Sequence, residues 1–225
     1  MAYEGSGETR RRYPPPGVVE AAWPTQLTVV LAIGLQLSLP DRLTAGTRFI
    51  LPGLEAVLVI GLLVATPRKL EGRHMVRRRV AVSLVALVSL ANAVSLWLLV
   101  HNLLHHKPAG GRDLIIAGML IWVTNFLIFA LWYWEIDRGG PGRRAAGEDG
   151  PPDFLFPQMS DDSIQPRDWR PLFLDYLYVS LTNAAAFSPT DTMPLSHTAK
   201  SVMGLQSIVS LVTIGLIVAR AVNIL

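Results

Sequence analysis

Apolar runs close to the thickness of a lipid hydrocarbon core recur along this chain, at roughly 23–39, 49–65, 80–101, 114–135 and 195–223. Such a core is ~30 Å thick and takes ~20 helical residues to cross. Backbone inside it must satisfy its own hydrogen bonds, which an α-helix does within one segment. An all-α integral membrane protein is therefore expected. Overall hydrophobic content is 51%, near the ~45–50% of soluble domains. The grouping of those residues into runs, rather than their number, carries the argument.

A sixth apolar stretch, 172–187, is shorter, about 24 Å as helix. If it crosses, the chain has about six transmembrane helices; if it folds back, five plus a re-entrant short helix. Four regions follow: a polar, disordered cytoplasmic tail (1–22), a four-helix transmembrane region (23–135), an acidic, flexible cytoplasmic loop (136–171) and a helix-turn-helix (172–225). Arg10, Arg11 and Arg12 precede the first run and no small-residue cleavage site follows it, the pattern of an uncleaved signal-anchor. Trp23, Trp97, Trp132, Tyr133 and Trp134 lie near predicted span ends, where amphipathic rings favour the headgroup layer.

Charge sets the expected orientation. Lys and Arg resist translocation, and the loop between the second and third runs holds Arg68, Lys69, Arg73, Arg77, Arg78 and Arg79. A cytoplasmic N-terminus with six spans puts 15 basic residues inside and 5 outside. The five-span version hardly changes this balance; the six-span map is preferred because it sets Arg220 at the cytoplasmic end of the last helix, where it can snorkel. The basic residues thus describe topology in a multi-pass plasma-membrane protein rather than a nucleic-acid surface.

Ionisable groups within spans cost ~2.5–3.5 kcal/mol at the bilayer centre on insertion scales. Glu55 lies about two turns into the second run and is a candidate for carrying protons or cations; a shallow, hydrated position accounts for it equally. Asp175 lies in the first turn of the short helix, where a helix N-terminus favours a carboxylate; pairing with Arg220 is the alternative. Gln36, Asn92, Asn125, Thr182, Asn183 and Gln206 fit interhelical hydrogen bonding. Asn183, Gln206 and Ser210 also line a polar path if they face one another; Gln206 and Ser210 share a helix face.

Enzyme chemistry finds no support. The chain has no cysteine, hence no disulfide, thiolate metal site or cysteine nucleophile. No glycine-rich phosphate loop or nucleophile elbow occurs, and no cofactor is implied. His197 with Asp191 and Ser196 is adjacent only in sequence. His101 and His105 stand one turn apart, as two metal ligands do, but no third ligand accompanies them.

The stretch YVSLTNAAAFSPTDTMPLSHTAKSVM, followed by LIVARAVN, resembles the pore helix, filter, outer mouth and inner helix of potassium channels. Tyr178, Ser180 and Thr182 match the pore helix. Asp191 and Pro194 match the Asp and Pro of the mouth, and Ala199, Lys200 and Val218-Ala219-Arg220 match the inner helix. The segment is also similar to the C-terminus of a group of uncharacterised bacterial multi-span proteins, which implies a bacterial inner membrane. The resemblance covers about fifty residues. In place of Gly-Tyr-Gly stands Ser188-Pro189-Thr190. Potassium filters use backbone carbonyls in dihedrals that favour glycine, whereas proline fixes its own φ and restricts its predecessor. The resemblance thus implies a channel-like protein without potassium selectivity, with a pore mouth at Ser188, Pro189, Thr190 and Asp191. A hairpin turn is the plain alternative for those residues. A small secondary transporter coupled through Glu55 or Asp175 and a non-transporting scaffold are the other functional readings. The expected partners are the lipid bilayer, further copies of the chain, and a small ion or solute.

Overall fold

A computed structural model describes residues 23–40, 74–105, 111–148, 150–160, 169–186 and 191–222. Within them run α1 (Trp23–Leu37), α2 (His74–His105), α3 (Gly111–Ile136), α4 (Pro141–Ala146), β1 (Phe154–Leu155), α5 (Phe173–Ala186), β2 (Met193–Pro194) and α6 (His197–Val222). Two 3₁₀ turns, Asp137–Gly139 and Pro157–Met159, flank α4 and β1. Three helical segments, Arg78–Leu103, Arg112–Gly139 and His197–Val222, are long and apolar enough to cross a membrane. That is compatible with an integral membrane protein. α1 is a shorter apolar helix. The run 49–65, with Glu55, lies outside the described residues.

α3 is the hub and packs against α1, α2, α5 and α6. Of its most apolar window 61% is buried, against 22% for α6, so α3 is central and α6 peripheral. α6 runs antiparallel to α3. Tyr133 meets Gln206, Asn125 meets Ser210, and Gly118 lies against Ile217. α2 is likewise antiparallel to α3: Trp132 Nε1 donates to Ser89 Oγ at 2.9 Å, and Leu99 lies beside Gly118. α1 runs parallel to α2. Gln36 Nε2 donates to the Val88 carbonyl at 3.0 Å, and Leu39 joins Leu96, Leu99, Leu114 and Ala117 in a cluster. The bundle therefore has one end marked by Asp137 (the proximal end) and one marked by Arg112 and Arg220 (the distal end). α1, α2 and α6 leave the proximal end, and α3 arrives there.

Gly118 lets α3 and α6 approach closely. A Cβ there would lie 2.6 Å from Ile217 Cγ1. Gly118→Val is expected to lower stability by about 1–3 kcal/mol through overpacking, read as a shift in thermal unfolding in detergent. A combined Ile217→Ala change should return part of that loss.

α5 does not cross the bundle. Phe173 stacks edge-on against Trp134 at the proximal end, with ring centroids 6.2 Å apart. Further along, Ser180 Oγ donates to the Phe126 carbonyl at 2.7 Å. Phe126 lies ten residues before the end of α3, about 15 Å along the axis and half of a ~30 Å core. The chain then reappears at the proximal end, where β2 pairs antiparallel with β1, Phe154 opposite Pro194 and Leu155 opposite Met193. Leu195 N adds a bond to the Asp153 carbonyl at 2.8 Å. A helix crossing fully would leave its two flanking segments at opposite ends. The expected full crossing by this short helix is thereby corrected: the segments on either side of it lie at the same end of the bundle. The charge balance could not discriminate, because both maps place nearly the same basic residues together.

A second correction concerns the acidic loop. Residues 137–148 and 150–160 are not a solvated stretch: Asp137, Arg138 and Arg144 are 0%, 3% and 4% exposed, and Phe154 and Phe156 join the main core. Gly140 shows why the chain turns so tightly here. It adopts φ +96°, which favours glycine, and a Cβ would lie 2.9 Å from the Glu135 carbonyl oxygen. A third correction concerns the aromatics. Tyr133 and Trp134 are buried, at 0% and 5% exposure, rather than set in a headgroup belt, whereas Trp23 and Trp97 are exposed.

Candidate functional site

α5 is held by two polar nodes, one along its inner face and one at its start. Its inner face presents Tyr176, Ser180 and Asn183, which recur at the 3–4 residue spacing that aligns side chains on a helix. All three are buried.

Gln206 of α6 organises the deeper node. Its Oε1 accepts from Tyr133 OH and from Asn183 Nδ2, the latter at 2.8 Å. Its Nε2 donates to the carbonyl and the hydroxyl of Ser180, each at 2.8 Å. Asn183 Nδ2 also reaches the Met203 carbonyl at 3.1 Å and Tyr133 OH at 3.2 Å, and its Oδ1 accepts from Ser207 Oγ at 3.2 Å. Gln206 and Ser180 are 0% exposed and Asn183 2%. Each amide thus finds protein partners on both its oxygen and its nitrogen. The node fastens α3, α5 and α6 to one another. Ser210, one turn on, stands apart from it and accepts from Asn125 Nδ2 at 2.9 Å.

The proximal node is built on Asp137. Its Oδ2 accepts from Tyr176 OH at 2.6 Å and lies 3.6 Å from Arg138 Nε, while its Oδ1 accepts from Asp153 N at 2.9 Å. Asp153 returns the contact, its Oδ2 accepting from Arg138 N at 3.0 Å. Arg138 adopts φ +55°, the one positive φ outside glycine among the described residues. Arg144 Nη1 donates to the carbonyls of Trp134 and Asp137 at 2.9 and 2.7 Å. Its guanidinium lies over the Trp134 and Tyr176 rings, 5.6 and 5.7 Å from their centroids. Charges this deeply buried are tolerated when paired and hydrogen-bonded; here Asp137 lies against Arg138, and Arg144 is held by two carbonyls and two rings.

The outer face of α5 borders a cleft of about 480 Å³, closed on the other side by Phe156, Pro157 and Gln158 and by Asp191 and Thr192. Asp175, Tyr178 and Thr182 are its polar contributions from α5. Asp175 Oδ2 accepts from Leu172 N at 2.7 Å, the expected use of a carboxylate at a helix start. Its pairing with Arg220 is excluded: Asp175 is at the proximal end, whereas Arg220 lies among Leu99, Leu103 and Leu114 at the distal end. Of the four mouth residues, Asp191 is described and exposed; Ser188, Pro189 and Thr190 lie outside the described residues. Ser196 caps α6, its Oγ accepting from Ala199 N at 3.1 Å.

Comparison with family models, curated proteins and solved structures found nothing similar to the chain. His101 stacks on Trp97 at 5.3 Å. For His105 only the backbone is described, and no group of three metal-ligating side chains forms among the described residues. Tyr133, Asp137, Arg138, Arg144 and Tyr176 were not singled out from the sequence as site residues. The i, i+4, i+7 spacing of Tyr176, Ser180 and Asn183 was the signal available for α5. None existed for Asp137, whose partners come from separate elements.

Proposed function

We infer that the chain is a channel-like protein of the cell membrane, the bacterial inner membrane by its resemblance, in which α5 and the return to β2 form a permeation element without potassium selectivity. One observation carries this reading: α5 enters from the proximal end to about half depth, and the chain comes back to that same end, tied there by the β1–β2 ladder. Non-helical backbone at membrane depth is tolerated where it is buried in protein or lines water, and broken helices of this kind commonly serve ion sites. The acidic cleft beside α5 is in keeping with a small cation as the permeant species.

Orientation follows from charge. Among the described residues the proximal end holds Arg78, Arg79, Arg138, Arg143, Arg144, Arg170 and Lys200, and the distal end Arg112 and Arg220. By the bias of basic residues towards the cytoplasm, the proximal end is cytoplasmic, with α1 starting there and α6 ending on the far side. The helix then dips from the cytoplasm, opposite to potassium channels.

Because the chain has no cysteine, single-cysteine labelling tests this directly. In sealed vesicles, Glu148→Cys and Asp191→Cys are expected to react with a membrane-impermeant maleimide from one side, and Val222→Cys from the other. Reaction of Glu148→Cys and Asp191→Cys from opposite sides would remove the re-entrant reading. Flux through reconstituted liposomes is expected to change in Ser188→Ala, Pro189→Ala and Asp191→Asn. Unchanged flux in all three would rule out a pore mouth there, and no flux in the parent chain would leave a scaffold.

A further inference from the structure

Two surfaces of the chain lack a neighbour among the described residues. On the outward face of α5, Leu174, Tyr178 and Leu181 are 71%, 56% and 39% exposed. They are interleaved with Asp175 and Thr182 and face Asp191 across the cleft, and among the described residues no basic side chain lines it. Lipid tails would strand these carboxylates, and a helix that stops at half depth needs protein or water around its end. The second surface is a stripe along α6 at 3–4 residue spacing: Lys200, Gly204, Ile208, Leu211 and Gly215. Lys200, Ile208 and Leu211 are exposed, and nothing lies within 4 Å of where a Cβ on Gly204 or Gly215 would stand. Exposed glycines on one face of a membrane helix admit another backbone at close range. The two surfaces lie at matching depth, since Asn183 of α5 is bonded to the Met203 carbonyl of α6. They are also complementary in charge, an acidic cleft against a stripe that begins with a lysine.

We propose that a second copy of this chain covers the α5 face, laying its α6 stripe along it so that the partner's Lys200 meets Asp191. The proposal rests on the reading of α5 as re-entrant. The contact is head-to-tail, α6 of one copy on α5 of the next, and contacts of this type build a ring when the rotation from copy to copy closes. The ring shields from lipid the cleft that a single copy leaves open, and so completes the site.

Cysteine crosslinking of the full chain in liposomes tests it. The double variant Leu181→Cys/Gly204→Cys, oxidised in the membrane, is expected to give a ladder of dimers and larger species, and each single variant only monomer. Lys200→Glu should abolish the ladder, and Lys200→Glu with Asp191→Lys should restore it. A monomer from the double variant, whether unlinked or closed within one chain, would overturn the proposal. So would native mass spectrometry from lipid nanodiscs showing one chain with bound lipid. A ladder without flux keeps the assembly and removes the permeation reading. Flux from nanodiscs holding a single chain does the reverse.

Discussion

Asp137→Ala is expected to lower stability by about 3–5 kcal/mol, the range for removing one member of a buried ion pair. The carboxylate is fully buried. Its loss removes the acceptor that Asp137 offers to Tyr176 OH and Asp153 N, and the carboxylate 3.6 Å from Arg138 Nε. Asp137→Asn should cost less, because an amide oxygen still accepts from one of these donors. Asp191→Ala, on an exposed residue, should stay within about 0.5 kcal/mol. Thermal unfolding of the detergent-solubilised protein measures all three. A shift for Asp137→Ala no larger than that for Asp191→Ala would show that the proximal node does not hold the fold together.

Gln206→Leu is expected to cost about 2–3 kcal/mol, because it strands buried polar groups. Tyr133 OH loses the acceptor to which it donates, and the Ser180 carbonyl loses its side-chain donor. Adding Tyr133→Phe removes the stranded hydroxyl and should return about 1 kcal/mol, a coupling of the size seen between residues in contact. The same cycle distinguishes a dry network from a wet path. Water in the node would satisfy the freed groups, so that Gln206→Leu would cost under about 1 kcal/mol and show no coupling to Tyr133→Phe.

Helix positions were legible in the sequence because lipid-length apolar runs and helical periodicity are local properties. The run 114–135 became α3 and 195–223 became α6 with little adjustment. The polar residues Asn183 and Gln206 were also legible as helix-to-helix bonding groups, since an amide in an apolar run has few other uses. The path of α5 was not legible, because a 14-residue apolar helix is long enough either to cross a thin core at a stretch or to turn back. What decides between them is a two-residue pairing between segments some forty positions apart, and no local pattern encodes that. The proximal node was hidden for a related reason. Gly, Pro and acidic residues read as solvated loop, yet Asp137 and Arg144 are buried by each other and by Tyr176 and Trp134, which reach them from α5 and α3.

The short ladder between β1 and β2 has a mechanical consequence. It tethers the stretch that leaves α3 to the stretch that enters α6, so neither can swing alone. Any widening at that end must carry both as a single lip, hinged where the glycines at 139 and 140 bend the chain, or else tear the pairing open.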